Sequence, residues 1–151
     1  MKILAFDATN PSVSIKDGDK IVTKSFSSSD EMKAEVVKVF DRSFNEIRIS
    51  RGPGSFTGLR VTHALALGLS FSSGIPIRQI DLSKRDKALL IPFKGKDLFS
   101  LCNGEVKLIE GKEPFSGAIS ELLLETEHGE ITENPEPFYG VETYFKERVT
   151  L

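Results

Sequence analysis

The segment RGPGSFTGLR at residues 51–60 constrains the fold most, because three glycines and a proline separate a strand pattern from a helix pattern. The preceding NEIRIS, residues 45–50, alternates apolar and polar side chains as a short strand does. Residues 59–73 follow a helix pattern, which Gly74 and Pro76 end. Glycines at such a junction permit positive φ angles or a close approach of the backbone. A strand, a tight loop and a helix in this order indicate an α/β protein.

The patterns on either side of this loop extend the same alternation. Residues 2–9 are mainly apolar and turn polar at Asp7, which predicts a buried first strand whose end carries functional groups. Residues 12–16 and 21–26 flank a DGDK turn and predict a hairpin or a three-stranded meander with it. Apolar side chains at helical spacing predict an amphipathic helix over about 30–44, and IPIRQI at 75–80 predicts a further strand. This order requires parallel pairing around the helical crossovers.

The residue pattern changes after residue 81, where the charged segment SKRDK is typical of a linker. Three short strands are predicted at 88–93, 98–102 and 106–109, the last two joined by an Asn-Gly hairpin turn. A helix is predicted at 119–127, with Gly129 as its stop. We therefore predict a boundary near residue 82, with a smaller lobe after it.

Composition excludes several classes of protein. The 151 residues carry 20 Lys and Arg against 22 Asp and Glu, a net charge of -2, and form no long basic stripe of the kind that autonomous nucleic-acid binders use. The single cysteine, Cys102, excludes an internal disulfide and a thiolate metal cluster. No apolar run approaches the roughly 18 residues of a membrane span. We expect Cys102 to be a small buried apolar residue.

The glycine loop and the end of the first strand hold the candidate phosphate-binding residues. Free N–H groups at the start of the following helix favour an anion, and an acid at a strand end can hold magnesium or orient a water. The loop is neither a Walker motif nor a dinucleotide fingerprint. A tight turn with a helix cap is the alternative interpretation. The candidates are Asp7, Thr9, Gly52, Gly54, Ser55, Thr57 and Gly58.

Neither histidine indicates catalysis. His63 lies on the second predicted helix and His128 in an acidic segment, and neither has a partner spaced as in a known nucleophile motif. We therefore expect His63 to be a packed or partly exposed helix residue and predict no catalytic residue and no metal site.

The helix over residues 59–73 is apolar on nearly all sides, and no charge lies between Arg60 and Arg78. A helix of this kind is buried on most sides. Because little other structure is available to cover it, we expect one exposed face to contact another protein. A core helix of an α/β sandwich is the alternative.

The string GPGSFTGLRV at 52–61, the small-residue helix after it, GIP at 74–76 and the opening MKILAFDATNPSVSI at 1–15 resemble the TsaB (YeaZ) family. The resemblance implies an α/β fold of the actin-like ATPase (ASKHA) superfamily, with ribonuclease-H-like lobes of mixed sheet and helices. It assigns residues 1–82 to a dimerisation lobe and 83–151 to a reduced second lobe with a C-terminal segment.

The resemblance also implies a role as a non-catalytic, cytoplasmic accessory subunit in forming N6-threonylcarbamoyladenosine in tRNA. Its expected partners are a TsaD-type catalytic subunit and a TsaE-type ATPase, with a homodimer in isolation, tRNA contacted only indirectly and no membrane. ATP or ADP with magnesium would enter through the assembled complex. The interface carried over from the family comprises Met32, Val36, Val39, Phe40, Val61, Ala64, Leu65, Gly68, Leu69 and Ser72.

Two departures from the family pattern bear on these expectations. Ala8 stands where the family has Thr or Ser, which weakens a phosphate site around Asp7, and Leu67 replaces a cation, which makes the helix surface more apolar. Two alternatives stay open: a small ATP-binding phosphotransferase or hydrolase that uses Asp7 and the glycine loop, and a homodimeric structural protein.

Overall fold

Two β-sheets and three α-helices make up the computed structural model, which describes residues 1–126 and 129–140. The predicted order of strands and helices is confirmed from the first strand to the hairpin at Asn103. The strands are β1 Lys2–Asp7, β2 Ser12–Asp17, β3 Lys20–Ser25, β4 Glu46–Ser50, β5 Ile77–Ile80, β6 Leu89–Lys94, β7 Asp97–Cys102, β8 Glu105–Glu110 and β9 Gly129–Thr132. The helices are α1 Ser29–Val39, α2 Phe56–Ser73 and α3 Ile119–Glu125, with a 3-10 turn at Leu82–Lys84.

The main sheet is mixed and has the strand order β3-β2-β1-β4-β5-β9. Strands β1, β4 and β5 are parallel neighbours, as the helical crossovers require. Strands β1, β2 and β3 form an antiparallel meander, which confirms the second of the two predicted arrangements. The other sheet has the antiparallel order β6-β7-β8.

Alternation along the strands gives the main sheet two buried faces. Leu4 and Phe6 of β1 face α1 and α2, in a core that also holds Ile47 and Ile49. Ile3 and Ala5 face the opposite way. The core on that side adds residues of α3 and of the smaller sheet: Leu89, Ile91, Phe99, Leu101, Ile119, Leu122, Leu123 and Leu124.

Helix α1 is shorter than the predicted 30–44. Ser28 caps it by accepting a hydrogen bond from the N–H of Glu31, and the helix ends at Val39 with Phe40 in an extended conformation. The Asp41 carboxylate accepts hydrogen bonds from the N–H and hydroxyl of Ser43, a local turn that competes with another helical turn. Phe44 is nevertheless buried, so the apolar spacing indicated core positions that lie beyond the helix.

The predicted strands after residue 82 are confirmed, including the turn in which Asn103 and Gly104 both have positive φ, at 50° and 81°. The predicted end of the third helix is wrong. Helix α3 ends at Glu125, and Gly129 begins a strand that pairs antiparallel with β5. Glu127, His128 and residues 141–151 lie outside the described residues. Segments from beyond residue 82 thus contribute to both sheets, and a division of the chain there stays a prediction.

A buried ion cluster fixes this return of the chain to the main sheet. Glu46 accepts hydrogen bonds from Nε of Arg48 at 2.7 Å and from Nε of Arg78 at 2.8 Å. Arg48 also donates to the backbone oxygens of Leu123 and Thr126, at 3.2 and 3.1 Å. The carboxylate and these carbonyl oxygens compensate the buried charge of Arg48, which burial would otherwise penalise, and the carboxylate also pairs with the partly buried Arg78.

Within the part of the chain that the structure describes, no helix is long and apolar enough to cross a membrane.

Candidate functional site

The turn after β1 lies directly against the glycine loop. A Cβ atom on Gly54 would come within 2.8 Å of Cγ2 of Thr9, and one on Gly58 within 2.7 Å of the same methyl group. The N–H of Ala8 donates to Oγ1 of Thr62 at 2.9 Å, and the Thr62 hydroxyl donates to the oxygen of Gly58 at 2.8 Å. The structure therefore brings the candidate residues at the end of β1 into contact with those of the glycine loop.

Asp7 is the buried acid of this region, at 1% exposure. Its Oδ2 accepts hydrogen bonds from the Thr9 hydroxyl at 2.7 Å and from the N–H of Asn10 at 3.0 Å. Loss of solvation raises the pKa of Asp7 to about 6, against the opposing effect of these hydrogen bonds. A carboxyl kept at such a cost in stability is typical of functional sites, although a buried turn produces the same shift.

The glycine loop does not fit a phosphate group well. The N–H of Gly58 donates to the Ser55 hydroxyl at 3.1 Å, and the N–H of Gly52 donates to the Ser50 hydroxyl at 3.0 Å. The space beside Gly54 and Gly58 is filled by the Thr9 side chain rather than left open. Two amides that a phosphate would use are thus already paired, and the glycines serve close packing. The cap at Ser55 supports the interpretation as a tight turn with a helix cap.

His63 is packed, as expected, at 4% exposure. Its Nδ1 lies 2.8 Å from the carbonyl oxygen of Leu59, and its Nε2 lies 3.0 Å from Nε2 of Gln79. Since a carbonyl only accepts and an amide nitrogen only donates, the ring is neutral with its proton on Nδ1. Burial lowers the pKa of His63, in agreement with this assignment. His63 therefore acts as a structural link between α2 and β5.

One face of α2 is exposed, as predicted. It contains Arg60, Ala64, Leu67, Gly68, Phe71 and Ser72. Phe71 is 95% exposed and Leu67 38%, and no charge lies on this face beyond Arg60. Its far end borders a groove of about 510 Å³ between α2 and the edge strand β9, where Ile131 is 51% exposed. Exposed aromatic and aliphatic side chains gathered in this way mark interaction surfaces.

The structure corrects the predicted interface in part. Met32 and Val36 are fully buried in the core, so neither can contact a partner. Val39, Phe40, Val61, Leu65 and Leu69 are partly buried against the same core. The residues of the predicted set that lie exposed on α2 are Ala64, Gly68 and Ser72.

Phe71 and Leu67 are the two large side chains that the predicted interface set omitted. Their signal is present in the sequence, since residues 60, 64, 67, 68 and 71 follow helical spacing along one face. The alternation of small and large residues in this helix obscured it. The small residues lie on both faces, whereas the exposed face is defined by spacing alone.

Among the residues that the structure describes, no group of three or more His, Cys, Asp or Glu side chains is placed to hold a metal ion. Cys102 is half-buried rather than fully buried, and its Sγ lies 3.3 Å from the oxygen of Asp86.

The fold is similar to that of known bacterial proteins. A crystal structure of an uncharacterized protein from Pseudomonas aeruginosa, with similarity to the peptidase YeaZ, matches with a TM-score of 0.52 and 20% identity. A structure of YeaZ from the same organism matches with a TM-score of 0.50 and 19% identity. Each match covers 73% of this chain, and the chain spans 64% and 65% of those two proteins, respectively. No family model and no curated protein matches the sequence.

Proposed function

We propose that this protein is a non-catalytic partner subunit that binds a TsaD-type catalytic subunit through the exposed face of α2. The observation that carries the proposal is the uncharged surface formed by Ala64, Leu67, Gly68 and Phe71. Removing it from water on assembly is favourable by about 25 cal/mol per Å² of apolar area. The small side chains of Ala64 and Gly68 allow another helix to approach closely.

The motif resemblance and the YeaZ-like fold support the same proposal. Both favour the actin-like ATPase superfamily, with a ribonuclease-H-like lobe built on the mixed sheet. The reaction served would be formation of N6-threonylcarbamoyladenosine in tRNA, in the cytoplasm and together with a TsaE-type ATPase. The net charge of -2 favours indirect contact with tRNA, through the partner.

Co-purification with the TsaD-type protein of the same organism tests this interface. Phe71→Asp and Leu67→Asp place a charge on the α2 face at exposed positions, so we expect each variant to fold and to lose the partner. Val22→Asp is the matched control, because Val22 is 47% exposed on β3, at the opposite edge of the main sheet. Normal binding by a folded Phe71→Asp variant would remove this face as the interface.

Self-association is the expected behaviour when the partner is absent. Light scattering of the isolated protein should show a dimer, and Phe71→Asp should shift it to the monomer. If the dimer forms but no TsaD-type protein binds, the role as a homodimeric structural protein replaces the proposal.

ATP binding at Asp7 and the glycine loop is the enzymatic alternative. The internal pairing of the Gly52 and Gly58 amides opposes it, so we expect calorimetry with magnesium and ATP to detect no binding to the isolated chain. Micromolar binding that Asp7→Ala abolishes would instead favour a phosphotransferase or hydrolase.

A further inference from the structure

A second concave region, separate from the α2 face, lies at the carboxyl ends of β4 and β5. It has a volume of about 580 Å³ and is lined mainly by Arg51, Gln79, Asp81, Lys84, Glu130 and Glu136. In open α/β sheets, ligands bind outside the carboxyl ends of parallel strands. The volume also lies within the range of small-molecule sites, roughly 300–1,000 Å³.

Arg51 is held in this cavity by its backbone and by an aromatic ring. Its N–H donates to the oxygen of Ile80 at 2.9 Å, and its carbonyl oxygen accepts from the N–H of Phe138 at 2.8 Å. The guanidinium lies over the Phe138 ring, 5.0 Å from the ring centre. These contacts hold Arg51 in position without using the N–H donors of its guanidinium group.

The guanidinium of Arg51 retains donors for a ligand. One terminal nitrogen lies 3.6 Å from Oδ2 of Asp81, too far for a hydrogen bond. Its Nε is buried and therefore out of reach of a ligand, but the side chain as a whole is 42% exposed, and its two terminal nitrogens donate no hydrogen bond to the described residues. A rigid fork with unused donors matches the two oxygens of a carboxylate.

The charges around Arg51 define the other part of the ligand. Among the described residues, the cavity is lined by two cations, Arg51 and Lys84, and by three carboxylates, Asp81, Glu130 and Glu136. The carboxylates would repel a dianionic phosphate, whereas an ammonium group would be attracted to them. The wall at Glu136 is fixed, because its backbone oxygen accepts a hydrogen bond of 2.7 Å from Gln79.

We propose that this cavity binds a small zwitterion, a free amino acid or a short peptide, with its carboxylate on Arg51 and its ammonium towards Glu130 and Glu136. The proposal is independent of the α2 interface, since none of these side chains lies on that face.

Calorimetric titration of the full chain with alanine, dialanine and trialanine tests the proposal and separates a free amino acid from a peptide. We expect at least one of the three to bind. N-acetylation or C-terminal amidation of that ligand each removes one charge and should weaken binding about tenfold or more. Inorganic phosphate should bind more weakly than the zwitterion.

Arg51→Gln should abolish binding, and Arg60→Gln, an exposed arginine on α2, should leave it unchanged. Glu130→Gln is a second variant at an exposed position that preserves the fold, and it should weaken the zwitterion but not its N-acetylated form. Absence of binding by all three probes at millimolar concentration overturns the proposal. Tighter binding of phosphate, or binding insensitive to both variants, also overturns it.

Discussion

Burial of the single side chain of Asp7 makes the free energy of unfolding depend on pH. Because the pKa in the folded protein lies near 6, above the ordinary 3.8, the folded state binds a proton more tightly than the unfolded chain does. The contribution of Asp7 to the free energy of unfolding therefore falls as pH rises from about 4 through 6.

Asp7→Asn removes this charge and keeps an oxygen for the N–H of Asn10. We expect the variant to be more stable than the wild type by up to about 3 kcal/mol above pH 7, and by little near pH 4. Urea unfolding across this pH range measures the difference. Asp19→Asn, in an exposed turn, should change stability little, and an Asp7→Asn effect that is equal at both pH values would contradict the assignment.

Glu46 is also a buried carboxylate, but unlike Asp7 it pairs with two arginines, Arg48 and Arg78, that compensate its charge. Glu46→Gln leaves Arg48, whose side chain is 6% exposed, without its carboxylate, and we expect a loss of about 3 kcal/mol in urea unfolding. Glu105→Gln breaks the exposed ion pair with Lys107 and should cost less than about 1 kcal/mol. Similar costs for the two variants would mean that solvent screens the buried cluster.

The sequence supports these residue-level features unequally. Asp7 was identified because it follows an apolar run, and Thr9 because it follows Asp7 in the same turn. Glu46, Arg48 and Arg78 were not identified, since their pairing depends on β4 lying beside β5 and on the backbone of α3. Side chains that join distant segments leave no local pattern in the sequence.

Helix α2 offers a comparison between two of its own glycines. A Cβ at Gly58 would lie 2.8 Å from the backbone Cα of Thr9, which cannot move freely, whereas a Cβ at Gly68 meets nothing within 4 Å. We expect Gly58→Ala to lower the melting temperature. Gly68→Ala should raise the melting temperature, because it stabilises the helix by about 0.5–1 kcal/mol. Equal effects of the two substitutions would show that Thr9 and the loop adjust to fill the space.

Elements defined by local signals were predicted well, as the turn at Asn103 and Gly104 shows. The end of α1 was not, because the spacing of Phe40 and Phe44 continued the helical pattern into a turn. Those two rings stack with their centres 6.0 Å apart, so tertiary packing reproduced the helical spacing without a helix.

For the whole molecule, the fragment 1–82 is the decisive test of the predicted boundary. In the intact chain, Ile3, Ala5 and Ile80 are covered by α3 and the smaller sheet. The fragment lacks α3 and the smaller sheet, so these apolar side chains become exposed to water. Arg48 also loses the backbone oxygens of Leu123 and Thr126 that accept its hydrogen bonds. We therefore expect circular dichroism to show no cooperative unfolding. Cooperative unfolding with nearly the full stability would establish residues 1–82 as an independent lobe.

The division near residue 82 was inferred from charge and composition, which change there, whereas the return of α3 and β9 to the main sheet involves segments about 40 residues further on. No pattern in residues 119–132 indicates which sheet they join. The register of β9 against β5 depends on the assembled core, so tertiary contacts decide it.

The late position of α3 in the sequence has a consequence for biosynthesis. About 40 residues separate Ile80, on the last parallel strand, from Ile119, where α3 begins. At about 5–20 residues per second, the ribosome needs roughly 2–8 seconds to add them. During that interval one side of the nascent sheet lacks its cover, and the newly made chain is exposed to aggregation or to capture by chaperones until α3 emerges.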